Sequence, residues 1–355
     1  MSTIREVAEQ ANVSITTVSH VVNNTRFVSS EVKNRVLIAM EEIGYQPNEL
    51  ARSLRMGQTH TIGLILPDSA NPFFAEVGHH VESAAFAANY NVILCNTEGL
   101  QDKEKIYVDV LLKKQVDGII FVAAGDRPES LYPLIKHKHP VVLIDRNLSE
   151  MQYAIDSVFT DNYQGGYRVT KHLLAIGHQN IGCIMGPHHL SPSMDRVVGF
   201  RNALHESGFS VNEDIIVQGD FHPTSGYKAA LEILTNPSRP TAIFAFNDLM
   251  AIGVIRAASE KGLRVPQDLA VVGFDDIELT QYVTPSLTTM AQPKLQMGME
   301  AVRLLTERMQ DNSLPAQTIM LETKLIVRDS CGAKLKRGLS DISTVQGEKY
   351  LDQKD

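Results

Sequence analysis

Residues 61–77 read TIGLILPDSANPFFAEV. The opening TIGLIL is an unbroken apolar run rich in Ile and Leu, the pattern of a buried strand. A Pro, an Asp and a small polar loop follow. Two adjacent aromatics, Phe73 and Phe74, then stand at the mouth of a strand-to-helix turn. Neighbouring side chains on a helix point about 100° apart, so at most one of the pair is expected to sit comfortably in a core. The other needs a different use.

The same strand–turn–helix unit recurs downstream. Strand-like runs are TIGLIL, NVILCN, DGIIFV, VVLID, NIGCIMG, IIVQGD, TAIFAF and LAVVGFD. Helical patterns fill most intervals, at 73–90, 101–114, 163–177, 193–208, 223–236 and 248–262. Repeated β-α units imply parallel sheets covered by helices on both faces. The series is too long for one doubly wound sheet, so two lobes are expected between residues 61 and 330.

Ligands of open parallel sheets sit beyond the carboxyl ends of the strands. The residues expected there are Asn71, Phe73, Phe74, Asp145, Arg146, Arg196, Phe221, Asn247, Asp248, Asp275, Asp276 and Gln292. Individually each has a plain alternative: Asn247 or Asp275 could cap a helix, and Asp145 could simply pair with Arg146. Jointly they are aromatic platforms among carboxylates, guanidiniums and amides, a set suited to a small polyhydroxylated ligand. Aromatic rings cover the C–H faces of a sugar. Carboxylates accept from its hydroxyls, Arg donates, and Asn or Gln does both. One or both of Phe73 and Phe74 are therefore expected to wall a sugar face, with Phe221 opposite.

The first sixty residues are built differently. Thr3 and Glu6 form a T-x-x-E capping box for a helix ending near Gln10. Ser14 is placed to cap a second helix, ITTVSHVVNN, after the tight turn ANVS. Ser29 or Ser30 can cap a third, where Val32, Val36, Ile38 or Ala39, and Ile43 make an apolar stripe ended by Gly44. PNELARSLRMG reads as a further short helix. Helix, short turn and second helix is the helix-turn-helix pattern. In the second helix Ile15, Val18, Val21 and Val22 can face a core. Thr16, Thr17, Ser19 and His20 then form a polar face able to reach base edges and phosphates; a solvated face on a generic three-helix bundle has the same spacing. Charge does not decide between them, because acids and bases balance up to residue 60. Positive charge must come from Arg26, Arg52, Arg55 and helix N-termini.

Whole-chain properties narrow the classes further. The 355 residues carry a formal charge of −8, which excludes a generally basic binder but not a local site. Three cysteines, Cys95, Cys183 and Cys331, lack metal or CxxC spacing and read as reduced thiols. The start MSTIREVAEQ has no apolar signal segment, and no run is long enough to span a bilayer. A cytoplasmic, membrane-free protein is expected. No GxGxxG follows a strand, no P-loop is present, and His79–His80 and His188–His189 lack metal-ligand spacing. No enzyme activity, cofactor or metal is expected. An exported sugar receptor would suit the core but not the helical head.

The stretches TIREVAEQANVSITTVSHVVNNTRFVS and YQPNELARSL closely resemble the head of the LacI/GalR family of bacterial transcriptional repressors, and the likeness runs from Thr3 to about Val327. It implies a helix-turn-helix DNA-binding domain at 1–46, a hinge helix and linker at 47–60, a two-lobed periplasmic-binding-protein-like core at 61–330, and a polar tail with few core residues, expected to be disordered, at 331–355. It also implies that Thr16, Thr17 and His20 lie on the recognition helix and that Arg26 is a further DNA contact. Leu54, flanked by Arg55, matches the hinge leucine that wedges into the minor groove of a palindromic operator. Leu50 and Leu54 lie four apart on a helix too short to be stable alone, so pairing of two copies over DNA is expected to form it.

The core is similar to periplasmic sugar-binding proteins of the ribose type. Asn71, Phe73, Phe74, Asp145, Arg146, Arg196, Phe221, Asn247, Asp275 and Gln292 all match that pocket pattern. QTHTIGLI, NPFF and LCNTEG also look like ribose-operon repressors. The head resembles the purine repressor branch at least as strongly. That branch reads its purine with an Arg and a Thr in the loop after Gly-Pro, where GPHHLSPSMDR has Leu190 and Pro192. The resemblance thus implies a homodimeric repressor with D-ribose, or a related sugar, as inducer. The tail shows no leucine heptads of the kind that build a tetramer.

Overall fold

The protein is represented by a computed structural model that describes residues 2–46, 57–123, 125, 129–146 and 154–333. Its chain divides into two compact units, Met1–Thr59 and His60–Asp355. Most of the expected hinge helix, including Leu54 and Arg55, and the tail after Ala333 lie outside the described residues.

The first unit holds three described helices, α1 (Ile4–Gln10), α2 (Ile15–Asn23) and α3 (Ser30–Glu42). Local chemistry sets each start. Thr3 and Glu6 complete the capping box, Ser14 accepts from the Thr17 amide, and Ser29 accepts from that of Val32. Gly44, at φ 63°, follows α3 in the left-handed conformation that suits glycine. Val7, Ala8, Ala11, Val18, Val36 and Ala39 form the small core, with Val21, Val22 and Ile43 packed against it. One open alternative is settled and one expectation changes. Ala39, not Ile38, completes the α3 stripe, and Ile38 is 55% exposed. Ile15 is exposed as well, because it is the first residue of α2 and sits at the end of the helix rather than on the side facing the core.

The second unit contains two six-stranded sheets. The N-lobe sheet comprises β1 (Thr61–Leu66), β2 (Asn91–Asn96), β3 (Gly118–Phe121), β4 (Val141–Ile144), β5 (Asp156–Thr160) and β11 (Thr318–Leu321), in the order β11-β5-β4-β3-β1-β2. Every pairing in it is parallel. The C-lobe sheet comprises β6 (Ile181–Met185), β7 (Ile216–Gln218), β8 (Ala242–Ala245), β9 (Ala270–Asp275), β10 (Thr288–Ala291) and β12 (Lys324–Ile326), in the order β12-β10-β9-β8-β6-β7. Only β12 there runs antiparallel to its neighbour. β5, β10, β11 and β12 add to the eight runs read from the sequence.

Helices α4 (Pro72–Ala87), α5 (Gln101–Lys113) and α6 (Leu131–Lys136) belong to the N-lobe, and α7 (Asn162–Ala175), α8 (Ser191–Glu206), α9 (Pro223–Thr235) and α10 (Asp248–Glu260) to the C-lobe. The last, α11 (Lys294–Gln310), follows a C-lobe strand yet packs on α4, burying Met297, Ala301, Leu304 and Leu305 with Val77, Val81 and Ala85. The described chain therefore crosses between lobes three times, near 160–162, 291–294 and 321–324. These crossovers form the hinge.

Candidate functional site

The expected pocket residues are placed by strand ends and helix starts, except Arg196, which stands in the second turn of α8. Asn71 caps α4, its side chain accepting from the Phe73 amide at 3.0 Å. Asn247 caps α10 through the Met250 amide and donates to the Phe221 carbonyl, both at 2.9 Å. Asp145 follows β4, Phe221 follows β7 and Asp275 ends β9. These three take positive φ values of 67°, 68° and 110°. Such backbone is uncommon outside glycine and clusters at functional sites, where surrounding structure holds the strain.

The structure brings all ten residues together. Asn71, Phe73, Phe74, Asp145, Arg146, Arg196, Phe221, Asn247, Asp275 and Gln292 line one cleft, joined among the described residues by Pro192. The cleft lies between the lobes, with Phe73 and Phe74 from one and Phe221 from the other. A wider chamber outside it shares Asn71, Phe74, Arg146 and Phe221 and adds Asp68, Glu98, His189, Asp220 and His222. Asp248 and Asp276, also expected at the strand ends, do not line the cleft.

The aromatic pair corrects an expectation. Phe73 and Phe74 are both buried, at 3% and 8% exposure, with their rings edge-on at 5.1 Å. The first turn of α4 is enclosed by the N-lobe core on one side and the interlobe cleft on the other, so two neighbouring positions are covered at once. Phe221 needs its own space. A Cβ on Gly186 would stand 2.1 Å from the tip of the Phe221 ring, so the absent side chain there admits it.

The polar groups form a connected floor. Arg196 is buried, lies 3.6 Å over the Phe274 ring, donates through Nε to Asn162 Oδ1 at 2.9 Å, and bonds the Phe246 carbonyl. Its Nη2 is 3.9 Å from Asp275 Oδ1. Gln292 donates to the same Asp275 oxygen at 2.7 Å and accepts from Thr160 Oγ1 at 2.6 Å. Arg146 pairs with Asp145 at 3.4 Å and bonds the Ala123 carbonyl. Burial pushes the Asp275 carboxyl up to about 7, against the pull of Arg196, Gln292 and Lys294. Burial and the Asp275 charge likewise raise Asp248, whose carboxylate accepts from the Ile277 amide and the Thr289 hydroxyl. Chemically the site offers aromatic faces, carboxylate acceptors, guanidinium donors and three amides, and among its described residues no nucleophile stands beside a base. Among the described residues no group of three or more His, Cys, Asp or Glu could hold a metal. Thr160, Asn162 and Lys294, and the supporting role of Asp248, are features that sequence reading missed.

In the head, Thr16 and Arg26 are exposed, while Thr17 and His20 are half-buried. Thr17 Oγ1 lies 2.8 Å from Ser14 Oγ, and His20 Nδ1 lies 2.8 Å from Thr25 Oγ1. Those contacts orient both side chains.

Comparison with known proteins agrees with both units. The family described as bacterial regulatory proteins, lacI family, matches residues 3–48, and the periplasmic binding protein-like domain matches residues 170–331. The HTH-type transcriptional repressor PurR of Photobacterium profundum is 40% identical over 330 residues, covering 93% of this chain and 98% of that protein. The lac repressor dimer bound to operator and the anti-inducer ONPF aligns with a TM-score of 0.84 at 28% identity, over 93% of this chain and 99% of that one. A LacI family transcriptional regulator from Enterococcus faecium with bound ribose aligns with a TM-score of 0.69 at 30% identity, over 76% of this chain and 98% of that one.

Proposed function

This chain belongs to the LacI family of bacterial regulatory proteins, and from that premise we propose that it is a homodimeric operator-binding repressor whose interlobe cleft takes D-ribose as inducer. The observation carrying the ligand assignment is the cleft lining. Three phenyl rings, two carboxylates, two guanidiniums and amide side chains face one small volume. A pentose presents C–H faces and hydroxyls that both donate and accept, and this set satisfies both. The ribose-bound Enterococcus faecium regulator supports the same reading. A neutral sugar fits better than a phosphorylated one. Arg146 already faces Asp145, and Arg196 is committed to Asn162, Phe246 and Asp275.

A purine corepressor is the second reading, favoured by 40% identity to a repressor named PurR. Against it, the loop after Gly186-Pro187 contributes Pro192 to the lining, an apolar group with no hydrogen bond to offer a base edge. Calorimetry of the full chain with D-ribose and with hypoxanthine decides between them. Heat with D-ribose alone is the expected result, and tight hypoxanthine binding without ribose heat overturns the assignment.

In the head, Thr16, Thr17 and His20 on α2, with Arg26 beyond it, are the proposed contacts to a palindromic operator. Leu54 and Arg55 are the proposed hinge contacts. Action on DNA places the protein in the cytoplasm, and no described helix is long and apolar enough to cross a membrane.

A further inference from the structure

Lys294 begins α11 just after the second interlobe crossover and is nearly buried, with a side chain 10% exposed. An ammonium has three donors and no acceptor. Here all three have partners. Nζ donates to the Asp275 carbonyl at 3.0 Å, to the Asp276 carbonyl, and to Glu76 Oε2 at 2.9 Å. The two carbonyls belong to the C-lobe loop that carries the pocket carboxylate, and both residues have positive φ. Glu76 belongs to the N-lobe, one turn along α4 from Asn71, Phe73 and Phe74. Its other oxygen accepts from the Glu278 amide of the same C-lobe loop at 3.1 Å.

The ion pair itself joins two packed N-lobe helices, α4 and α11, and its two members together grip the C-lobe loop presenting the main carboxylate. Ile277 of that loop also packs into the N-lobe core with Phe73, Phe74 and Val77, while its polar contacts to Asp248 and Arg328 stay within the C-lobe: Asp248 holds the Ile277 amide, and Arg328 pairs with Asp276 at 2.8 Å. Those polar contacts hold the loop's shape, whereas Glu76 and Lys294 supply the charged hold on the other lobe beside the apolar contact of Ile277. We propose that Glu76 and Lys294 form a clasp that keeps the two lobes closed and couples occupancy at Asp275 to the position of α4. Ligand that fixes Asp275 fixes the carbonyls Lys294 grips, and so favours the closed clasp. A closed clasp in turn sets Phe73 and Phe74 for the ligand. Linkage requires the coupling to be reciprocal.

The proposal rests on the cleft being the effector site, and its test separates the two. Glu82 on α4 and Lys228 on α9 are exposed, whereas the three native cysteines are buried. Glu82→Cys and Lys228→Cys accept spin labels across the cleft in the full chain, and pulsed electron resonance reads the interlobe distance. The empty protein with an intact clasp is expected to give a narrow distribution. Glu76→Gln, which removes only the charge of a half-buried side chain, and Lys294→Met are each expected to lengthen and broaden it. D-ribose should restore closure in both, with a Kd raised about tenfold. The double variant should be no worse than the poorer single one, as for two halves of one contact. Wild-type distances in the empty Glu76→Gln and Lys294→Met proteins overturn the clasp. If D-ribose leaves the unsubstituted protein unbound, the ribose assignment falls, while the empty-state distances still decide the clasp.

Discussion

Gln292 and Asp275 are joined by a 2.7 Å hydrogen bond, and Gln292 is held in turn by Thr160 at 2.6 Å. Asp275 ends a C-lobe strand, Gln292 lies on the second crossover, and Thr160 ends the N-lobe strand that leads into the first. Asn162, on that first crossover, accepts from Arg196. The polar floor of the cleft is thus built from the hinge itself. A ligand that engages Asp275 or Arg196 acts directly on segments that must move when the lobes reorient.

Thr160 does not line the cleft, which makes it a clean probe of this arrangement. Thr160→Val keeps the shape of the side chain and removes the donor to Gln292. A buried acceptor left without its partner costs about 1–3 kcal/mol. Ligand affinity is expected to fall about tenfold, measured by calorimetry, with operator binding by the empty protein retained. Unchanged affinity would show that Gln292 needs no support from the hinge.

The Asp275 carboxyl gives a pH signature. Its pKa is raised from 3.8 to about 7 in the folded, empty protein. A raised carboxyl opposes folding where it must ionise. Its protonated form is therefore most favourable to the fold below the unfolded value, and stability falls with rising pH until the pH passes about 7. Ligand binding should run the other way, since the ionised carboxylate is the better acceptor for sugar hydroxyls. Affinity for D-ribose is therefore expected to strengthen between about pH 5.5 and about pH 8, approaching tenfold per unit on the acid side at most. Asp275→Asn should flatten the profile and weaken binding throughout. A flat profile in the unsubstituted protein contradicts an ionised Asp275 as the ligand's acceptor.

Gly186 tests the aromatic wall. Its missing Cβ leaves room for Phe221, so Gly186→Ala must displace that ring or the backbone beneath it. Overpacking of this kind costs about 1–3 kcal/mol. Ligand affinity should drop at least tenfold if the ring is driven into the cleft. A conservative Phe221→Leu change added to Gly186→Ala should relieve the clash and recover folding stability, read by thermal melting, without restoring affinity. Full affinity in Gly186→Ala would place Phe221 outside the ligand contact.

The cleft was largely legible because strand ends are local landmarks. Asn71, Asp145, Phe221, Asn247, Asp275 and Gln292 all follow recognisable apolar runs, and parallel sheets send such positions to one edge. Head caps were legible for the same reason: Thr3, Ser14 and Ser29 act within three residues. What stayed hidden depends on distant pairings. Thr160 and Gln292 are 132 residues apart, Glu76 and Glu278 are 202, and neither pairing leaves a periodic trace. α11 was missed as part of the N-lobe because it follows a C-lobe strand and returns across the hinge. Phe73 and Phe74 misled because helical geometry counts one buried face, whereas the start of α4 has a core on one side and a second lobe on the other.

A sugar that prefers the closed lobes and an operator that prefers paired hinge helices must each weaken the other by the same factor if the two states are incompatible. The same scaffold can run in reverse, so the sign depends on which lobe arrangement the hinge tolerates. The ligand class argues for release, because a sugar usually relieves repression of the pathway that consumes it. Operator affinity is therefore expected to fall with saturating D-ribose, measured at fixed salt, since phosphate contacts make such affinities strongly salt-dependent. Leu54→Ala should weaken operator binding even without sugar, by removing the minor-groove wedge. Thr16→Ala and Thr17→Ala should instead change which operator is preferred, with discrimination losses of about 1–3 kcal/mol per base contact. Asp275→Ala should abolish the response to ribose and leave operator binding intact, because it alters the cleft and not the head. Tighter operator binding with ribose present would make the sugar a corepressor and reject this mechanism, while the cleft assignment would stand.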